Sequence, residues 1–136
     1  MKIPYSPAWA GSEALIPYVE VVMGSAQFKI RMAALIDSGS DHNLFGVDVA
    51  EQCGIDLTRA ASVKAGYYQE NAEPLSGRLI EVNYQLGRYK WAGETVFVDT
   101  PRPYGLLGQR GFFDAFVVTF NYRKGEIDVT RESMFR

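Results

Sequence analysis

Residues 27–37, QFKIRMAALID, constrain the fold of this chain more than any other segment. Phe28, Ile30 and Met32 alternate with Gln27, Lys29 and Arg31. A period of two marks a strand with one buried face. The alternation then gives way to the apolar residues 33–36, and these run straight into Asp37. An ionised carboxylate is costly to desolvate, so a strand that carries one inward implies a partner or a chemical task for it. Ser38, Gly39 and Ser40, a second acid at Asp41 and the chain's single histidine, His42, follow at once.

The rest of the chain has the same strand character. LIPYVEVVMG is rich in β-branched and aromatic residues and stops at Gly24, so it pairs with QFKIRMAALID as a hairpin across Gly24 and Ser25. GVDVAEQCG predicts a short helix, with Asp48 and Glu51 early and Gly54 as its stop. ASVKAGYYQENAEPLSGRLIEVNYQLG alternates on either side of a turn-rich centre at residues 70–74 and predicts a long hairpin. YKWAGETVFVD adds a strand, TPRPYG breaks the chain, and LLG resumes it as a very short apolar segment. QRGFFDAF predicts a helical turn, and FVVTFNYRKGEIDV a hairpin turning at Arg123, Lys124 and Gly125. Residues 1–13, rich in Pro, Gly and Ser, read as a flexible N-terminal arm before a single domain at residues 14–136. The expected architecture is all-β with one or two short helices.

Composition narrows the function. At 136 residues, 47% of them hydrophobic, the chain is long enough to bury a sizeable core. The net charge is −2 with scattered basic residues, which argues against a nucleic-acid or membrane surface. The single cysteine, Cys53, cannot form an internal disulfide, and no Cys/His cluster has zinc spacing. The N-terminus lacks the apolar stretch of a signal peptide, and no apolar run approaches a membrane span. These features lead to the expectation of a soluble, cytoplasmic protein.

LIDSGS resembles the active-site signature of aspartic proteases, in which apolar residues precede Asp, Thr or Ser, Gly, and Ala or Ser. YGLLGQRGFFDAF is similar to the apolar-apolar-Gly segment and short helix that come late in each lobe of that family. The order of elements also matches. A single signature in a chain of this length resembles the retropepsin type, which includes retroviral proteases and their bacterial relatives. The resemblance implies a retropepsin-like acid protease barrel with one lobe per chain.

It further implies an aspartic endopeptidase acting on a peptide or protein substrate without a cofactor or metal. Hydrolysis of a peptide bond without a covalent intermediate needs an activated water and a proton donor, and two carboxylates sharing one proton supply both. Asp99 and Asp114 lack the following glycine, so the second carboxylate has to come from another chain. A two-fold homodimer would place two copies of Asp37 opposite each other. Gly39 permits the sharp turn. By resemblance, Ser38 hydrogen-bonds across the interface, Ser40 supports the carboxylate, and Asp41 contacts substrate backbone. Leu106, Leu107 and Gly108 form the structural segment near the site. Retropepsins often have an arginine directly after that glycine, paired with the acid at Asp41; here Gln109 stands there and Arg110 follows. The hairpin at residues 66–77 is the candidate flap, with Tyr67, Tyr68 and Gln69 as its substrate contacts. By analogy, the C-terminal EIDVTRESMFR adds a strand at the dimer interface.

Other readings of the same residues are plainer. Asp, Ser and Gly are ordinary turn residues, and Asp41 fits a structural cap as well as a substrate contact. His42 lacks a Gly-x-Ser-x-Gly elbow for a serine triad, and reads as a surface residue or one supporting the loop. A calcium loop fails because His42 stands where glycine is needed and Asp48 where glutamate is needed. GQRG lacks the context of an RNA-binding loop, and Cys53 reads as a small buried apolar group. Two alternatives to a protease also fit: a non-catalytic pepsin-fold dimer that binds peptides or a protein partner, and a monomeric β domain.

Overall fold

The computed structural model describes residues 1–65 and 74–132. Its strands are β1 (Lys2–Pro4), β2 (Ser6–Pro7), β3 (Leu15–Ile16), β4 (Tyr18–Gly24), β5 (Lys29–Ile36) and β6 (Asn43–Gly46). Helix α1 (Val47–Gln52) and a 3-10 turn, Leu57–Arg59, come next. They are followed by β7 (Ala61–Ala65), β8 (Leu75–Leu86), β9 (Tyr89–Val98), β10 (Gly105–Leu107), β11 (Phe116–Asn121) and β12 (Glu126–Arg131).

Seven strands form one sheet in the order β4-β5-β10-β6-β9-β8-β7. The long β8 gives its first half to β7 and its last residues to β4, with Val22 opposite Gln85. The second pairing closes the sheet into a barrel, leaving β7 as an extension. The expected all-β barrel is present, with one short α-helix among the described residues. That helix begins after Gly46, carries Asp48 in its first turn and ends at Cys53 before Gly54, whose φ of +66° suits glycine.

A second sheet has the order β1-β12-β11. Residues 1–13, expected as a loose arm, therefore contain strand: Lys2–Pro4 pairs with Glu126–Asp128, and Ser6–Pro7 pairs with Leu15–Ile16. The N-terminal ammonium donates to the Val129 carbonyl at 2.8 Å. A strand partner from the far end of the sequence overrides a turn-rich composition here. The same pairing leaves β12 with neighbours on both sides inside its own chain. On the β1 side that pairing covers residues 126–128, and on the β11 side residues 126–131.

The segment after Gly108 forms turns, and the helical turn expected from QRGFFDAF is confined to residues 112–116. Gly111 has φ +105°, and Phe116 N–H closes on Phe112 O at 3.0 Å just as β11 begins. Too few residues lie between these points for a helix to propagate.

Among the described residues, two apolar clusters form the core. The larger contains Phe45, Tyr84, Trp91, Phe97, Phe112 and Phe116; the smaller contains Leu44, Ala65, Val96, Val98 and Leu106. Ile36 and Leu107 face the larger cluster, Leu35 and Leu106 the smaller. The paired strands β5 and β10 thus separate the two clusters by simple alternation. Among the described residues, no helix is long and apolar enough to cross a membrane.

Candidate active site at the Asp37 loop

Strand β10 enters between β5 and β6. It runs parallel to β5, with Leu106 opposite Leu35 and Leu107 opposite Ile36, and antiparallel to β6 at Leu44. The loop of residues 37–42 therefore bends over the end of β10. Asp37 N–H donates to Leu107 O at 2.9 Å, which carries the ladder one residue beyond β5. Asp37 is half-buried at that point.

The carboxylate is held by main chain. Gly39 N–H donates to Asp37 Oδ1 at 2.9 Å, and Ser40 N–H donates to Asp37 O at 3.1 Å. Ser40 is buried, and its hydroxyl donates to His42 O at 2.7 Å. Ser40 thus supports the loop's backbone, whereas the direct hydrogen bond to the carboxylate comes from Gly39. Ser38 and Gly39 are exposed.

Gly108 makes the close approach possible. A β-carbon there would collide with the carbonyl oxygens of Ser40 and His42. Its N–H donates to Asn43 Oδ1 at 3.0 Å, a bond inside the protein. The next residues continue the fastening: Gln109 N–H to Ser40 O and Arg110 N–H to Asp41 O, both 2.8 Å, and Asn43 N–H to Arg110 O at 3.0 Å. The Gln109 side chain reaches further and donates from Nε2 to Ser38 O at 2.7 Å.

Asp41 is exposed, and with His42, Gln109 and Arg110 it lines a surface pocket of about 390 Å³. Among the described residues Asp41 and Arg110 form no ion pair; their link is the main-chain bond. His42 Nε2 lies 3.6 Å from Glu94 Oε2, so Glu94 on β9 flanks the loop at its histidine. Tyr18 stacks edge-on to Tyr104 at 5.1 Å. Burial, and then the neighbouring Tyr104, raise the Tyr18 hydroxyl above its ordinary range.

The structure thus brings together Asp37, Ser38, Gly39, Ser40, Asp41, Leu106, Leu107 and Gly108. Tyr67, Tyr68 and Gln69, with most of the candidate flap, lie outside the described residues. Sequence reasoning missed Asn43, the buried carboxamide that receives Gly108. It also missed the polar pair behind it, in which the buried Tyr84 hydroxyl lies 2.5 Å from Thr95 Oγ1. Asn43 could have been noticed as a polar residue at the start of an apolar strand. Tyr84 and Thr95 gave no signal, since both suit any strand.

Overall similarity follows the same lines. The chain matches the crystal structure of a retropepsin-like aspartic protease from Rickettsia conorii with a TM-score of 0.61, over 95% of this chain and 89% of that one. The chain has the retropepsin-like fold. Sequence identity to that protease is 16%, so the likeness is one of architecture. No protein-family model matches the sequence, and no curated protein matches it. Among the described residues, no group of three or more His, Cys, Asp or Glu is placed to hold a metal ion.

Proposed function

We propose that this retropepsin-like chain is an aspartic endopeptidase whose water-activating pair is formed by Asp37 from each of two copies. The observation that carries the reading is the placement of Asp37. It is a half-buried carboxylate at the end of β5, on a glycine-containing loop braced by β10, in a retropepsin-like barrel. Each chain supplies one such carboxylate, and a two-fold axis beside the loop would supply the second.

Two carboxylates at close range cannot both ionise, so the pair keeps one proton. The charged member takes a proton from water while the neutral one donates to the substrate carbonyl oxygen. Gly39 N–H stabilises the charged form of its own Asp37. The exposed Ser38 hydroxyl is free to face the partner loop. Asp41, which forms no ion pair with an arginine among the described residues, is available to substrate at the pocket it lines. An extended peptide would lie along the cleft, held by main-chain pairing and sorted by side-chain pockets.

A peptide-library digest with wild type and Asp37→Asn tests this, alongside sizing at several concentrations. Wild type should cut as a dimer, and the variant should lose activity on the order of a thousandfold with its fold intact. Equal product patterns from the two proteins would end the proposal. Peptide binding by a dimer that never cleaves would select the non-catalytic alternative.

A further inference from the structure

The loop that carries Asp37 is fastened differently at its two ends. Its later part is held by main chain, with Ser40 O, Asp41 O and Asn43 N–H each bonded to residues 109 or 110. Its early part turns on the peptide between Ser38 and Gly39. The N–H of that peptide donates to Asp37 Oδ1 at 2.9 Å, and its carbonyl accepts from Gln109 Nε2 at 2.7 Å. Both bonds belong to one planar unit. In a trans peptide the C=O and N–H point in opposite directions, so holding the oxygen aims the N–H. A donor on the carbonyl also polarises the amide and strengthens the bond its N–H makes.

We infer that Gln109 is a positioning residue for Asp37. It acts through this peptide, by fixing the plane of Ser38–Gly39 and so the direction of the hydrogen bond to the carboxylate. The inference rests on the reading of Asp37 as half of a water-activating pair, but the contact itself does not depend on it. The role requires a neutral or positive donor at position 109 long enough to reach Ser38 O. Glutamate has the same length but, when ionised, offers no donor and would face the carbonyl with like partial charge. Methionine matches the length without polarity. Lysine restores a donor.

The test uses the full chain and two readouts. The first is the amide resonance and hydrogen-exchange rate of Gly39 by NMR, measured in wild type, Gln109→Glu, Gln109→Met and Gln109→Lys. The second is kcat and KM on a cleaved peptide. Gly39 should shift and exchange on the order of tenfold faster in the Glu and Met variants, and should stay close to wild type in Lys. In the same two variants kcat should fall about tenfold while KM changes little. An unchanged Gly39 amide in both Glu and Met variants overturns the inference, as does a loss confined to KM. If wild type cuts nothing, yet Gly39 loses protection in Glu and Met and regains it in Lys, the latch stands and only the proteolytic reading falls.

Discussion

The two apolar clusters of this protein share a wall and differ in nearly everything else. The larger is built around aromatic rings. Trp91 stacks on Tyr84 at 5.1 Å, meets Phe116 edge-on at 4.8 Å, and donates its indole N–H to Gly111 O at 2.7 Å. The smaller is aliphatic apart from Tyr104, and several of its members, including Leu35, Val63 and Leu75, are only partly buried. Along β5 the alternation sends Leu35 to the small cluster, and Asp37 follows next on that side. The contrast is one of composition and place: the larger cluster carries the stacked and edge-on rings, and the smaller, mainly aliphatic one lies on the side of β5 that Asp37 shares.

The largest effect should come from the aromatic side. Trp91→Ala removes ring contacts with Tyr84, Phe112 and Phe116 and orphans the Gly111 carbonyl, and should cost about 3–5 kcal/mol by urea unfolding. Leu106→Ala, in the smaller cluster, should cost about 2–3 kcal/mol in the same measurement. The reverse ranking would break the comparison.

Gly108→Ala lies at the junction. The new β-carbon meets the Ser40 and His42 carbonyls, so the loop must move, at about 1–3 kcal/mol. NMR shift changes should concentrate in residues 37–43 and leave the aromatic cluster unmoved. Changes spread evenly across both clusters would show that the site and the core are one unit.

The smallest effect concerns how well Cys53 is buried in the larger cluster. Burial pushes the Cys53 thiol from 9.0 up to about 11. At neutral pH it should resist alkylation in the folded protein and react only on unfolding. Below pH 9 both states keep the proton; above it the unfolded chain releases its proton first, so this contribution to stability is lost as pH rises toward about 11. Rapid alkylation of native protein would contradict the burial of Cys53.

Much of this was legible from local chemistry. The alternation of Ile30 and Met32 with Lys29 and Arg31 read as strand, but Phe28, expected on the same buried face, lies before β5 and is 58% exposed; Asp48 and Gly54 marked the helix, and LIDSGS with GLLG pointed to the loop and the strand that braces it. The partner of residues 2–4 was not legible, because β1 pairs with residues 126–128, and nothing in a three-residue strand names so distant a neighbour. Gln109 stood out only as a departure from an expected arginine. Its contact with Ser38 spans 71 positions and exists only because β10 slots between β5 and β6.

The sequence by itself determined the period-two pattern, the turn chemistry and the placing of a carboxylate at the end of an apolar strand, since each depends on near neighbours along the chain. The tertiary structure alone decided which strand lies between which, which polar groups meet inside, and how the Asp37 carboxylate is aimed. Those outcomes depend on segments far apart in sequence closing the same barrel. A hydrogen bond between them depends on positions and directions that only the closed barrel sets.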